Sequence, residues 1–220
     1  MNRQHTGKTQ LFPLECYETR VHCRNSPMGA LFDKAGSVCY NHRSFCRNRE
    51  ILGGENAMLL IVKSLKELDF RQLMEVYEEG NLENAAEFFL HEPEAQWLLL
   101  AEQSFHQYLR ECFFKTEGAY YCIWVVEGRY VSALRLEPYQ DGLLLEALET
   151  KPTERKKGYA SELIRAVLEQ VGDEKVYSHV NKRNIASLKT HERCGFHRML
   201  EYAVYADGSV LRSSCTFCCK

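Results

Sequence analysis

No stretch of this 220-residue chain approaches the roughly 20 consecutive apolar residues that span a bilayer, so no membrane-spanning helix is expected. The first thirty residues, opening MNRQHTGKTQ, lack an apolar h-region. A secretory signal is therefore not expected, and the cytoplasm, where thiols stay reduced, is the expected compartment. A large charge of one sign is also missing: 28 Lys and Arg stand against 30 Asp and Glu, a net −2, with a pI near 6.5. Such balance argues against nucleic acid or an anionic membrane as the main partner. Repeats and low-complexity tracts are absent too. What is present, 45% hydrophobic and 26% charged residues, is ordinary globular composition. The length suits one domain with an appendage. Cysteine is plentiful, ten in all, and unevenly spread.

Residues 1–57 form a leader unlike the rest. They hold four cysteines (Cys16, Cys23, Cys39, Cys46) and a local charge of +3, leaving −5 for residues 58–220. Their apolar residues show no sustained period of 2 or 3.6. Three readings stand. Cys39, His42 and Cys46, with Cys23 or Cys16, supply four soft ligands for zinc, although the pairs are too open for a knuckle. Alternatively the leader is a poorly structured extension with incidental cysteines. The preferred reading makes Met58 the natural start: Gly53-Gly54-Glu55 is how a purine-rich ribosome-binding stretch of a bacterial gene translates, and it ends two codons earlier.

From Met58 onward the pattern alternates. A strand is expected at 58–64, then helices at 67–77, 84–89 and from Pro93 to about 114, where proline suits the first turn. Strands are expected at 119–126 and 130–138, with Gly128 in the turn between them, and at 143–150 after Asp141-Gly142. A helix at 160–171 carries Leu163, Ile164, Val167, Leu168 and Val171 on one stripe and stops at Gly172. Then come a strand at 175–180, a helix at 185–194 and final strands at 196–205 and 209–217. A mixed α/β sheet with helices on both faces accommodates this order.

The chemistry concentrates at 143–164, LLLEALETKPTERKKGYASELI. A strand ends near Pro152, and Arg155-Lys156-Lys157-Gly158-Tyr159-Ala160 opens a helix. A strand-to-helix turn containing glycine offers several backbone N–H groups and the positive helix end to one point, and three cations reinforce it. That is a seat for phosphate; the bland reading is a solvated basic turn. The segment resembles the coenzyme A-binding motif of the GNAT-superfamily N-acetyltransferases, Arg/Gln-x-x-Gly-x-Gly/Ala. Residues 180–196, VNKRNIASLKTHERCGF, resemble that family's later strand-helix segment, in which Asn precedes a helix ending in Gly-Phe. Asn184 and Gly195 also make an ordinary N-cap and helix stop. The resemblance covers about residues 58–220 and leaves out the leader.

The resemblance implies a mostly antiparallel central sheet whose fourth and fifth strands, 143–150 and 175–180, splay apart around a pantetheine arm. It implies acetyl-CoA as co-substrate, no metal, and direct acetyl transfer to a primary amine of a small molecule or a peptide. The backbone of Leu148, Glu149 and Thr150 would bond the pantetheine and offer an oxyanion donor. Arg155, Lys156, Lys157, Gly158, Tyr159 and Ala160 would hold the pyrophosphate, and Asn184 with Ser187 the far side of the cofactor. An alkyl amine is mostly protonated at neutral pH, so a general base is needed. Glu146 is the candidate, with Glu149 the alternative if the strand is bulged; strand alternation otherwise puts the two on opposite faces. Both are also acceptable as solvent-facing carboxylates. His191 stands where many members carry the Tyr that protonates the departing thiolate, and histidine can do so near neutral pH. Tyr177, Tyr202 and Tyr205 are substitutes for that acid.

Two other classes stay open: a non-catalytic CoA-binding sensor or scaffold, which the missing Tyr at 191 allows, and a zinc adaptor built on the leader. Cys215-x₂-Cys218-Cys219 has the spacing of a metal or redox pair but is expected to consist of buried or incidental thiols, as are Cys112, Cys122 and Cys194. The partners expected are a small-molecule amine acceptor, neither nucleic acid nor membrane, with room for a homodimer.

Overall fold

The computed structural model describes residues 57–220. The leader readings, including the Cys16, Cys23, Cys39, His42 and Cys46 ligand set, fall on residues outside those described; the first strand begins at Ala57.

Strands β1 (Ala57–Val62), β2 (Tyr120–Val126), β3 (Arg129–Tyr139), β4 (Gly142–Thr150), β5 (Lys175–Asn181), β6 (His197–Leu200) and β9 (Ser214–Cys219) form one sheet in the order β1-β2-β3-β4-β5-β9-β6. A separate small ribbon pairs β7 (Ala203–Val204) with β8 (Val210–Leu211). Every neighbour in the large sheet is antiparallel except β4 and β5, which run parallel. Helices α1 (Phe70–Phe88) and α2 (Trp97–Glu111) cover one face, burying Leu73, Tyr77, Phe105 and Leu109 against Tyr121, Ile123 and Ala133. Helices α3 (Tyr159–Gln170) and α4 (Ile185–Arg193) cover the other, with Leu163, Ile164, Val167 and Leu188 packed on Leu134, Leu136, Leu145 and Phe217. The strands thus alternate between two apolar cores, which is why their sequences read as nearly continuous apolar runs.

Two sequence expectations change. The separate helices at 67–77 and 84–89 are one 19-residue helix, α1. Gly80 inside it costs about 1 kcal/mol relative to Ala, and burial of Leu73, Tyr77 and Ala85 on the core side outweighs that. The long final strands break into β6 to β9, because the segment around Asp207-Gly208 turns out into its own ribbon.

Gly142 fixes how closely β4 and β5 begin. A Cβ there would fall against the Lys175 carbonyl, 2.9 Å from its carbon atom. Gly142→Ala is expected to force the two strands apart where they should touch, costing about 1–3 kcal/mol as overpacking does. Thermal unfolding should drop by about 2–4 °C for each kcal/mol in a domain of this size; an unchanged midpoint would contradict the close approach.

Candidate active site

Strands β4 and β5 pair only from Gly142↔Lys175 to Leu145↔Ser178. Beyond that both continue, β4 to Thr150 on its β3 partner and β5 to Asn181 on β9, so a gap opens between them. The parting coincides with a β-bulge. The β3–β4 register shifts between Ala133↔Glu149 and Arg135↔Glu146, and Ala147 lies at φ +49. The Tyr77 hydroxyl of α1 donates to the Ala147 carbonyl at 2.7 Å, satisfying a group that the bulge takes out of the ladder.

The bulge has two consequences. Glu146 and Glu149 come to the same sheet face, that of α1 and α2, since their partners Arg135 and Ala133 are two residues apart on β3. The alternation that separates them in an unbulged strand fails here by one residue. The second consequence concerns the backbone. Lys151 N–H donates to the Val131 carbonyl at 2.9 Å, which sets the phase of the ladder. Antiparallel alternation then sends the N–H of Glu149 to β3 and turns those of Thr150 and Leu148 toward the gap.

The turn after β4 continues this track. Lys156 (φ +65) and Gly158 (φ +91) both adopt left-handed backbone, and α3 begins with no side chain capping it. The first-turn N–H groups at Gly158, Tyr159 and Ala160 are therefore available to an anion, aided by the helix dipole. A Cβ on Gly158 would meet nothing within 4 Å, so the glycine is required by φ and not by crowding. Arg155, Lys156 and Lys157 are exposed around it. Lys157 Nζ is held by Glu154 at 2.7 Å. Arg155 is tied inward: it pairs with Glu79 of α1, approaches Glu149 at 3.8 Å and donates from Nε to the Thr150 carbonyl at 3.2 Å.

Across the gap, Asn184 caps α4, its side chain accepting from Ser187 N–H at 3.0 Å. Ser187 Oγ lies 3.3 Å from His191 Nδ1. His191 is buried, with its ring against Phe196 and Phe217. Its Nδ1 lies 2.8 Å from the Ser187 carbonyl, which can only accept, so Nδ1 carries the proton. Nε2 is then a lone pair, buried and without a hydrogen-bond partner among the described residues. Burial lowers the His191 pKa, the Ser187 bond opposing it. A neutral ring in this tautomer has no Nε2 proton to give.

The α1/α2 face of the gap holds groups that sequence reasoning passed over. Arg135 is fully buried beneath Glu146, with Nη2 3.4 Å from Oε2 and the guanidinium over the rings of Tyr108 and Phe113. Glu137 lies beside Glu146. Burial, the Glu146 charge and a hydrogen bond with Glu146 push its pKa up to about 7, against the pull of Arg135. His179 of β5 stands between the rings of Tyr139 and Tyr205, its pKa lowered by burial while the Glu146 charge opposes. Neither of its ring nitrogens has a hydrogen-bond partner among the described residues. The signal for Glu137 was available: Arg135 and Glu137 alternate onto one face of β3. Of the substitute acids, Tyr177 bonds Asp141, Tyr205 joins the His179 stack and Tyr202 is exposed.

The cysteines on β9 are buried, as are Cys122 and Cys194, while Cys112 is exposed. Among the described residues no group of three or more His, Cys, Asp or Glu side chains is placed to hold a metal ion, and no helix is long and apolar enough to cross a membrane.

The arrangement combines an anion seat, a backbone-lined slot leading from it, and carboxylates at the inner end. The acetyltransferase (GNAT) family model matches residues 70–196. A search of curated protein sequences gave no match. Among solved structures, a protein from Pyrococcus horikoshii OT3 aligns at 16% identity and a TM-score of 0.50, over 74% of this chain and 98% of its own. The PaiA N-acetyltransferase of Thermoplasma acidophilum, solved with coenzyme A, aligns at 14% identity and 0.48, over 74% and 99%. The ribosomal-protein-S18-alanine N-acetyltransferase of Escherichia coli aligns at 14% and 0.46, over 74% and 93%.

The state of His191 predicts a pH effect on stability. Below the ordinary histidine pKa of about 6.5 the unfolded chain takes up a proton that the buried ring refuses, so stability falls as pH drops from there through the lowered folded value. His106 and His179, also lowered, act in the same direction. Denaturant unfolding of His191→Phe should therefore lose part of this dependence, the variant gaining on wild type as pH falls from about 7 to 5. A constant difference across that range would contradict a buried neutral His191.

Proposed function

Since this chain belongs to the acetyltransferase (GNAT) family, we propose that it transfers an acetyl group from acetyl-CoA to a primary amine of a small molecule or peptide. The observation that carries this reading is the continuity of the track: strands that part after Leu145 and Ser178, N–H groups of β4 turned into the gap, and an uncapped helix start at its outer end.

The donor set suits such a cofactor. The N–H groups of Gly158, Tyr159 and Ala160, with Lys156 and Lys157, would hold the pyrophosphate. Arg155 would join them by exchanging its Glu79 partner for phosphate oxygen. Asn184 spends its carboxamide oxygen on the helix cap, leaving its N–H₂ and the Ser187 hydroxyl for the cofactor's far side. Acetyl-CoA supplies the acetyl group as a thioester. The N–H groups of Leu148 and Thr150 would line the arm, and one of them would stabilise the oxyanion as the amine adds. Glu149 would contribute through Arg155 rather than as base.

Glu146 would act as the general base, standing on the acceptor face of the gap with Arg135 fixing its position. His191, with its proton on Nδ1, would anchor α4 rather than serve as the acid. That same feature favours the second reading, a CoA-binding sensor without turnover. Thiol release from acetyl-CoA over a panel of amines separates the two. Transfer is expected, and Glu146→Gln should lower kcat/KM by about 10²–10⁴-fold without weakening acetyl-CoA binding. Tight binding with no turnover on any amine would favour the sensor.

A further inference from the structure

Glu137 and Glu146 are diagonal neighbours on the α1/α2 face, because Glu137 sits opposite Leu144 and Glu146 opposite Arg135. The register sets the two side chains next to each other on that face, both half-buried. Two carboxylates held side by side and partly out of water do not ionise independently, so the first ionisation leaves a proton with the pair. Beneath them lies Arg135, 2% exposed, with Nε and Nη1 buried and without a hydrogen-bond partner among the described residues. One fixed positive charge stabilises one carboxylate; the second ionises against its neighbour.

The titratable groups facing the pair are Tyr108 from α2, Tyr121 from β2, Arg135 from β3, His179 from β5 and Tyr205 from the connection between β7 and β8, with Tyr77 of α1 behind Arg135. Burial holds the tyrosines protonated and favours the neutral form of His179. Arg135 is thus the permanent charge the pair feels from its surroundings.

We infer that Glu137 shares the reaction proton with Glu146, so that the base is the carboxyl pair: Glu146 meets the acceptor amine, and Glu137, a positioning residue, holds the shared proton beside it. This rests on the acetyl-transfer reading above. The acceptor ammonium gives one proton to the ionised pair. Its nitrogen then attacks the thioester carbon, a C–N bond forms and the C–S bond breaks. The second N–H proton leaves with sulfur as thiol, and the pair returns its own proton to water, one per turnover. A shared proton lost near neutrality matches a base to its working pH, where proton transfer is most effective. A carboxyl group with no neighbour to share the proton would lose it in the ordinary carboxylate range and be a weaker base at neutral pH.

The test is the pH dependence of kcat/KM on the full chain with acetyl-CoA and a turned-over amine. Wild type should show an acid limb near pH 7, on top of the limb set by the amine. Glu137→Gln should move it down by about one pH unit or more, Glu137→Asp should keep it, and His179→Asn should leave it in place. A limb unmoved in Glu137→Gln, or moved in His179→Asn instead, overturns the inference. Loss of rate with an unmoved limb would show a structural role alone. Infrared titration of the free protein reads the pair without turnover. A carboxylic-acid carbonyl band persisting at about pH 6 in wild type should vanish in Glu137→Gln, in line with a shared second ionisation near neutrality. If no amine is acetylated but this difference appears, the transfer reading fails and the pair stands; no difference overturns the pair.

Discussion

A non-glycine residue held at positive φ in the middle of a strand costs on the order of 1–2 kcal/mol, and it survives only where its surroundings fix it. Ala147 is such a residue, and Tyr77 fixes it by bonding its carbonyl from the helix layer above. Everything distinctive about the site follows from that one displaced peptide. It breaks the β3–β4 register, brings Glu146 and Glu149 to the same face, and accompanies the separation of β4 from β5. Strand ends with unpaired N–H groups normally invite pairing with another chain. Here they look into a gap inside the fold, where the natural partner is a ligand.

The electrostatics divide along the same line. The outer end of the gap is cationic and exposed, at Arg155, Lys156 and Lys157. The inner end is half-buried and holds two carboxyl groups over one buried guanidinium. The near-neutral charge of the whole chain therefore hides a polarised site. Solvated cations suit a polyanion at one end, while at the other a lower dielectric makes each added charge expensive unless it is shared. Glu79 and Glu149 hold Arg155 between the two ends, so the cation nearest the slot already has a carboxylate partner that phosphate can replace.

Much of this was legible in the residues. The alternation of strands and helices, a mixed and mostly antiparallel sheet with helices on both faces, and the glycine turn that opens the helix at Tyr159 follow from periodicity, glycine placement and the family resemblance. What periodicity cannot carry is a bulge, since one extra residue inverts every later assignment of face while leaving the apolar pattern unchanged. That is why the relative facing of Glu146 and Glu149 could not be read until the register was known. Glu137 and His179 escaped for a related reason. Each looks like an unremarkable polar residue on its own strand, and only the order β3-β4-β5 sets them beside Glu146. His191 stands at the position of the family's Tyr, and its Nδ1 faces the Ser187 carbonyl, a contact within its own helix that the family match does not reveal.

The central claim is that the bulged, splayed strand offers the N–H groups of Leu148 and Thr150 to the thioester arm. Amide NMR of the full chain titrated with acetyl-CoA measures this directly. The account predicts that the Leu148 and Thr150 amides shift and become protected from exchange together with those of Gly158 to Ala160, while Lys151, bonded to Val131, changes little. Saturable binding that perturbs the turn at Gly158 and leaves Leu148 and Thr150 unmoved would contradict it.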